Sequence, residues 1–319
     1  MNDVLKKIGE LGIVPVVKIE NADSAVPLGK ALIEGGLPIA EITFRTAAAA
    51  KAIENISKEL PQMLVGAGTV LSVDQVKKAM DAGASFIVSP GFNPSVVEYC
   101  ADNEIPITPG CSNPSDIEMA LGFGLEVVKF FPAEASGGLA ALKAISAPYG
   151  MIRFIPTGGI NEKNLNSYLS FNKVHACGGS WMVAAEFIDS GNYDEIARLT
   201  KEAVGLMLGF DIAHVGINMP DENSSLELAS KLSMTFGMEL KKGSSSNFAG
   251  TGIEVIKGSG LGRLGHIAVK TNDINRAIAY LRSKGAGIDM GTAKGSGDKI
   301  KAVYLEGDFG GFAIHLLQK

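Results

Sequence analysis

Residues 127–134 read V-V-K-F-F-P-A-E, and Lys129 is the residue that sets the problem. A continuous run of β-branched and aromatic side chains predicts a strand covered on both faces, the situation of a parallel sheet clothed in helices. An ammonium in such a strand is costly. Two readings stand side by side. In one, Lys129 lies at a strand end and snorkels to water. In the other it sits in an apolar pocket, where desolvation disfavours the charged form and a neutral amine attacks a carbonyl to give a Schiff base.

Outward from this stretch, short apolar runs alternate with helical segments from Ile13 to about Leu208. Strands are expected at Ile13–Val17, Ile39–Phe44, Met63–Ala67, Phe86–Ser89, Ile105–Pro109, Val127–Phe131, Arg153–Pro156 and Val174–Cys177. Helices are expected at Ser24–Glu34, Val73–Ala82 and Pro114–Gly122, the last capped by Asn113 ahead of a first-turn proline. Eight strands in about 200 residues predict an α/β fold, a (β/α)8 TIM barrel over residues 1–208.

Active sites of such barrels gather at the C-terminal ends of the strands. Glu41, Thr43 and Arg45 alternate on the second strand and so share one face. Thr69 follows the third strand, Ser89, Pro90 and Gly91 end the fourth, and Pro109 and Gly110 end the fifth. P-T-G-G-I (156–160) and C-G-G-S-W (177–181) end the seventh and eighth, where glycine lets backbone N–H groups approach a phosphate. A Gly-Gly pair taken alone marks only a tight turn.

The length of 319 residues suggests two domains, and 46% hydrophobic with 20% charged residues describes a chain able to bury a sizeable core. A net charge of -5 without a dense basic tract argues against nucleic acid as a partner. No run of about 18 apolar residues predicts a membrane span, and the N-terminus lacks the apolar run of a signal peptide. Cys100, Cys111 and Cys177 lack metal-like spacing. Reduced thiols in a cytoplasmic protein are the expectation.

E-I-T-F-R-T (41–46), G-A-G-T-V (66–70), I-V-S-P-G (87–91), V-K-F-F-P-A-E (128–134), P-T-G-G-I (156–160) and G-G-S-W (178–181) together resemble the 2-keto-3-deoxy-6-phosphogluconate and 4-hydroxy-2-oxoglutarate aldolases, six motifs in family order. The resemblance implies a class I aldolase, a carbon–carbon lyase that needs no metal or organic cofactor and works as a homotrimer. Its small-molecule substrate would be a 2-oxo acid. 2-Keto-3-deoxy-6-phosphogluconate would yield pyruvate and glyceraldehyde 3-phosphate, and 4-hydroxy-2-oxoglutarate would yield pyruvate and glyoxylate. Carried over by motif, Lys129 is the Schiff-base lysine and Glu41 the acid/base, with a buried partner for Arg45 as the plainer reading of Glu41. Arg45 and Thr69 hold the substrate carboxylate. Pro90 and Phe131 are pocket walls, and Thr157, Gly158, Gly159, Gly179 and Ser180 form the phosphate site. The alternative from another class is a phosphate-binding barrel isomerase or epimerase, which shares the glycine loops but has no need of Lys129.

Residues 209–319 change texture and carry a weak repeat: I-A-H-V-G-I-N (212–218) against L-G-H-I-A-V-K (264–270), and G-I-E-V-I-K (252–257) against F-A-I-H-L-L-Q (312–318). Each half reads strand, helix (Leu226–Thr235; Ile274–Ser283), then strands. This α+β pattern of paired βαβββ modules resembles the glyoxalase-like, vicinal oxygen chelate superfamily. The chain has 4 histidines, and His214, His266 and His315 fall with Glu254 at the positions where that resemblance places metal ligands. The set suits a divalent transition metal such as Zn, Ni, Fe or Mn. His315 departs from the pattern, standing where many members have a second glutamate. Alternatives are structural histidines and a non-catalytic binding module. His175 reads as a structural residue of the eighth strand, and Gly243–Gly252 and Gly291–Gly297 as mobile loops.

Overall fold

The computed structural model describes residues 1–296 and 299–319. The chain divides into two compact units, Met1–Met207 and Leu208–Lys319. Among the described residues no helix is long and apolar enough to cross a membrane.

In the first unit strands and helices alternate: α1 (Asp3–Leu11), β1 (Ile13–Val17), α2 (Ala25–Glu34), β2 (Ile39–Thr43), α3 (Ala49–Glu59), β3 (Leu64–Gly68), α4 (Val73–Asp81), β4 (Ile87–Val88) and α5 (Pro94–Asp102). The alternation continues with β5 (Ile107–Thr108), α6 (Pro114–Gly122), β6 (Val127–Phe130), α7 (Gly138–Ser146), β7 (Arg153–Pro156), α8 (Leu165–Leu169), β8 (Cys177–Gly179), α9 (Ala185–Asp189) and α10 (Tyr193–Leu208). β5-β4-β3-β2-β1-β8 form one parallel sheet and β6-β7 another. Parallel bridges close both gaps: Gly110 with Lys129 between β5 and β6, and Phe154 with Val174 and Thr157 with Gly178 between β7 and β8. The result is a (β/α) barrel-type fold. Helix starts are fixed locally, since Asn2, Ser72, Asn93 and Asn113 each accept a first-turn N–H, and α5 and α6 open on proline.

Several strands are shorter than their apolar runs suggest. β4 and β5 keep only two residues each: Ser89 and Pro90 leave the ladder to form the rim, while Pro109 and Gly110 turn to bridge Lys129 of β6. The eighth strand is displaced. Val174 closes a turn onto Phe171 through its N–H (2.8 Å), and the ladder to β1 instead uses Cys177, Gly178 and Gly179 opposite Ile13, Val14 and Pro15. The glycine pair read as the loop after that strand is therefore the strand itself. His175 precedes it and ties α1 to the barrel, its Nε2 2.6 Å from the Leu5 carbonyl oxygen.

The second unit holds β9 (Asp211–Met219), α11 (Glu222–Phe236), β10 (Leu240–Lys242), β11 (Ser246–Ala249) and β12 (Ile253–Lys257). The same order recurs as β13 (Gly265–Thr271), α12 (Ile274–Ser283), β14 (Ile288–Ser296), β15 (Lys299–Leu305) and β16 (Phe312–Gln318). α11 begins a turn before its expected start because Asp221 caps it, accepting from the Ser224 N–H (2.8 Å). All the strands join one mixed sheet, β10-β11-β12-β9-β13-β16-β15-β14. β9 pairs parallel with β12, β13 parallel with β16, and β9 with β13 antiparallel, so the order strand, helix, three strands occurs twice. The glycine-rich stretches are not simple loops. Ser246–Ala249 within the first is β11, and β14 runs through the second as far as Ser296, held by β15. Gly297 lies outside the described residues.

α2 and α10 meet without room to spare, since a Cβ on Gly35 would lie 2.5 Å from the Thr200 Cβ. The Thr200 hydroxyl is buried there without a hydrogen-bond partner among the described residues. Removing an unsatisfied buried hydroxyl while keeping its shape relieves a desolvation penalty. We expect Thr200→Val to stabilise the barrel by about 1 kcal/mol. The check is the urea midpoint followed by fluorescence of Trp181, the chain's 1 tryptophan, and a lowered midpoint would refute it.

Candidate active site

At the strand ends of the barrel lies a cavity of about 420 Å³. Lys129, Glu41, Arg45, Thr69, Pro90, Phe131, Thr157, Gly158, Gly159, Gly179 and Ser180 all line it. The residues singled out from the sequence thus come together in one site from six segments. The sequence reading missed Val16, Lys18 and Trp181, which also line the cavity. Lys18 has a legible signal, lying two residues beyond Val16 on the inward face of the strand that leads to it. Trp181 stands in the G-G-S-W motif without an assigned role, and its place depends on Gly179 having no side chain: a Cβ there would sit 1.9 Å from the indole Cζ3.

Lys129 and Glu41 face each other across the interior. Lys129 Nζ donates to Glu41 Oε1 at 3.2 Å, and the two residues are 6% and 3% exposed. The ammonium lies 5.3 Å from the Phe131 ring centre. Glu41 is thus the partner of Lys129, and no Glu41–Arg45 ion pair is formed in the described structure. The carboxylate fits because β3 ends in glycine; a Cβ on Gly68 would come 2.2 Å from Glu41 Oε1. Thr43, one step along β2 on the same face, donates its hydroxyl to the Val17 carbonyl (2.9 Å) and locks β2 to β1. Arg45 lies past the end of β2, so the alternation holds to Thr43, and the exposed guanidinium reaches the cavity from the following turn.

Thr69 carries strain. Its φ of 56° is a left-handed conformation that a β-branched residue rarely adopts. It is maintained by the next residue, whose N–H reaches the Val88 carbonyl at 3.1 Å. Strain at a cavity-lining residue marks a position held for use. Gly110 permits a close crossing, because a Cβ there would lie 2.0 Å from the Pro90 carbonyl oxygen. Gly158 and Gly159 follow β7 with φ of 97° and 83°, conformations that glycine accepts freely. Their loop is tied down by Asn161 and Asn164, both donating to the Gly159 carbonyl oxygen at 3.1 and 3.0 Å, and by the Glu134 N–H on Gly158 (3.1 Å). Tyr168 in turn donates its hydroxyl to the Glu134 carboxylate.

A second cluster lies in the Leu208–Lys319 unit. His214 from β9, Glu254 from β12, His266 from β13 and His315 from β16 come from four adjacent strands, on the face opposite Val255 and Asn247, which lie toward α11. His214 Nε2 and His266 Nε2 are 3.0 Å apart, and each is 3.2 Å from Glu254 Oε2. Potential ligand atoms of the three histidines all lie within 4.8 Å of one another. Ser246 donates to Glu254 Oε1 (2.6 Å), leaving Oε2 toward the imidazoles. Hydrogen bonds from His214 and His266 hold the Glu254 carboxyl well below the usual carboxylate range. Burial pushes His315 down to about 4, so its ring is neutral at pH 7, the form that ligates metal. His315 Nε2 is buried with no hydrogen-bond partner among the described residues. Such an orphaned nitrogen fits a metal ligand. Gly216 is the residue that sequence reading missed, since a Cβ there would meet the His266 ring at 2.2 Å.

A barrel with a buried lysine–carboxylate couple, a guanidinium, a glycine turn and a glycine strand end around one cavity has the make-up of a lyase acting on an anionic carbonyl compound. The sequence pattern of KDPG and KHG aldolase matches residues 4–199, and the chain belongs to that family. It is 48% identical over 204 residues to the 2-dehydro-3-deoxy-phosphogluconate aldolase of Haemophilus influenzae, covering 64% of this chain and 96% of that protein. It is 44% identical over 192 residues to the KHG/KDPG aldolase of Escherichia coli, covering 60% and 90%. Among solved structures, the KDPG aldolase of Legionella pneumophila with pyruvate captured as a covalent carbinolamine superposes with a TM-score of 0.61 at 38% identity, over 62% of this chain and 97% of that one. That of Zymomonas mobilis with 3-phosphoglycerate gives 0.59 at 39%, over 62% and 94%. The protein is an enzyme with aldolase activity.

Gly68→Ala tests the geometry of the central pair. The added methyl must displace the Glu41 carboxylate from Lys129, and a shift of about 1 Å in a reacting group costs about 100-fold in rate. We expect aldolase turnover to fall by one to two orders of magnitude with the fold retained by circular dichroism. Unchanged turnover would show that the carboxylate position is immaterial.

Proposed function

We propose that the barrel is a Schiff-base aldolase that cleaves 2-keto-3-deoxy-6-phosphogluconate or 4-hydroxy-2-oxoglutarate to pyruvate and an aldehyde. The observation that carries this is the Lys129 amine, buried in the cavity and 3.2 Å from Glu41. Lys129 attacks the C2 carbonyl to give a carbinolamine, which loses water to become an iminium. Glu41 takes the proton of the C4 hydroxyl, the C3–C4 bond breaks, and its electrons pass to the iminium to leave an enamine and the free aldehyde. The protonated Glu41 then delivers a proton to C3, and hydrolysis frees pyruvate and Lys129. Arg45 and Thr69 hold the substrate carboxylate, Pro90 and Phe131 wall the cavity from water, and Thr157, Gly158, Gly159, Gly179 and Ser180 cradle a distal phosphate. The carbinolamine of the Legionella pneumophila relative and the 3-phosphoglycerate of the Zymomonas mobilis relative support both halves of this reading.

Borohydride reduction in the presence of pyruvate is the test. A mass gain of one reduced pyruvate adduct, an N-(1-carboxyethyl) group, on Lys129 is expected, absent in Lys129→Ala and Lys129→Arg, with cleavage lost in both. An adduct persisting in Lys129→Ala would reassign the nucleophile.

We further infer that the Leu208–Lys319 unit is a glyoxalase-like, vicinal oxygen chelate domain whose His214, Glu254, His266 and His315 hold one divalent transition metal. Its support is the pair of βαβββ modules and the convergence of four donors from related strands. A bound ion would supply Lewis-acid polarisation of an oxygen ligand. Ser246 orients the carboxylate, and Tyr304, stacked on His315 at 4.7 Å between ring centres and 15° between planes, holds that imidazole in place. Elemental analysis of the full chain should find one metal per chain, lost in the His214→Ala, His266→Ala double variant, while chelators leave aldolase turnover unchanged. Absence of stoichiometric metal, before and after titration, would make the unit a binding module without an ion.

A further inference from the structure

The glycine turn after β7 is held from behind by residues that do not line the cavity. Three successive carbonyls of the turn have partners. Thr157 accepts from the Ala133 N–H (2.8 Å), Gly158 from the Glu134 N–H (3.1 Å), and Gly159 from the side-chain amides of Asn161 and Asn164. In a trans peptide the N–H points opposite to the C=O. Fixing the Gly158 and Gly159 carbonyls therefore fixes the Gly159 and Ile160 N–H groups, which point away from Glu134 and from the two asparagines. Gly159 and Ile160 line the cavity, and Glu134 is not among its lining residues.

The Glu134 side chain adds a second hold. Its stem lies against Gly159, where a Cβ would come 2.6 Å from both the Cβ and the Cγ of Glu134. A turn built on two glycines has many other conformations open to it and does not fix itself. Glu134 is exposed on its outer side, so burial does not fix its rotamer either. The end of the side chain is fixed by Tyr168, which is 1% exposed and donates its hydroxyl to Oε1. Burial pushes the pKa of that hydroxyl up and the Glu134 carboxylate adds to the shift, so the group stays protonated and able to donate at neutral pH. The carboxylate also stands at the start of α7, with Oε1 3.1 Å from where a Cβ on Gly138 would lie, and a helix N-terminus favours an anion. The negative charge is thus held behind the turn and not in the cavity, where it would repel an anionic substrate.

We propose that Glu134 and Tyr168 are a positioning pair for the distal phosphate. The Tyr168 hydroxyl anchors the Glu134 carboxylate, and the anchored residue, through its stem and its N–H, sets the Gly159 and Ile160 N–H groups toward the anion. The proposal rests on the phosphate-cradle reading above. A turn set beforehand loses no binding energy to its own ordering, so the pair acts on substrates that reach the cradle and not on the chemistry at Lys129. Neither residue touches the substrate. Their effect falls on the choice between 2-keto-3-deoxy-6-phosphogluconate, which carries a phosphate, and 4-hydroxy-2-oxoglutarate, which does not.

Steady-state cleavage of the two substrates by the full chain is the test. Tyr168→Phe keeps the packing of the ring and removes only the hydroxyl. Loss of a hydrogen bond to a charged group corresponds to a factor of about ten or more, so KM for 2-keto-3-deoxy-6-phosphogluconate should rise about ten-fold while its kcat and the KM for 4-hydroxy-2-oxoglutarate stay within about two-fold. Glu134→Ala should have the same effect, and the double variant should be no worse than either alone, because the two residues act as one unit. Glu134→Gln, whose amide oxygen still accepts from Tyr168, should keep most of the parent affinity. Borohydride should still trap pyruvate on Lys129 in every variant. An equal rise in KM for both substrates, a fall in kcat alone, additive effects in the double variant, loss of the trapped adduct, or an unchanged KM in Tyr168→Phe overturns the proposal. Failure of inorganic phosphate to compete with 2-keto-3-deoxy-6-phosphogluconate in the parent chain overturns the cradle reading and this proposal with it.

Discussion

Lys129 and Glu41 put a base and an acid together inside a protein barrel, and much of the surrounding structure serves that pairing. Either group buried by itself would be an uncompensated charge, and removing one partner of such a pair costs several kcal/mol, about 3–5. The barrel answers with geometry. β2 and β6 lie on different sides of the ring, so closure of the ring is what brings residues 88 apart in sequence to 3.2 Å. Gly68 withholds a side chain where the carboxylate must stand, and Thr43 ties β2 to β1 so that Glu41 cannot drift along the strand. Below the pair, Ile8, Val14, Phe86, Val88 and Ile155 close the interior with apolar surface around a small cavity. The couple is thus open to the substrate side and sealed on the other.

How much of this is legible in sequence depends on the range of the cause. Strand positions and the inward set of β2 follow from local periodicity, so Glu41, Thr43 and Lys129 could be placed facing a common interior. The rim residues could be found because proline and glycine punctuate strand ends. What failed were features set by neighbours distant in sequence. The eighth strand moved three residues because its ladder is chosen by β1, where Ile13, Val14 and Pro15 meet Cys177, Gly178 and Gly179, and not by the apolar run at Val174. Trp181 occupies the space over Gly179, which no spacing rule reveals. Glu41 had two plausible cations in reach of a sequence argument, and only the closed ring selects Lys129 over Arg45.

The second unit shows the same division. A repeat with a histidine or glutamate at each equivalent strand was enough to suggest convergence, since the modules repeat their own topology. The loops expected from glycine content are in part strand, Ser246–Ala249 in the first stretch and Gly291–Ser296 in the second. β14 tolerates Gly291 and Gly295 because it is an edge strand with register shifts against β15, where a Cβ on Gly295 would lie 2.0 Å from the Lys299 carbonyl oxygen. Glycine there serves close backbone approach, a use that composition alone does not separate from flexibility.

Glycine is the common device of both sites, and it works by subtraction. Gly68 makes room for the Glu41 carboxylate, Gly179 for the Trp181 ring and Gly216 for the His266 imidazole, in each case with less than 2.5 Å between a hypothetical Cβ and the group that fills its place. A functional side chain on a strand competes for space with its cross-strand neighbour, and the pleat fixes their separation near 5 Å. Large groups that must point to one focus cannot all be accommodated unless some neighbours have no side chain. The positions without side chains are thus as much a part of the chemistry as the lysine, the carboxylates and the histidines, and they determine where those groups can stand.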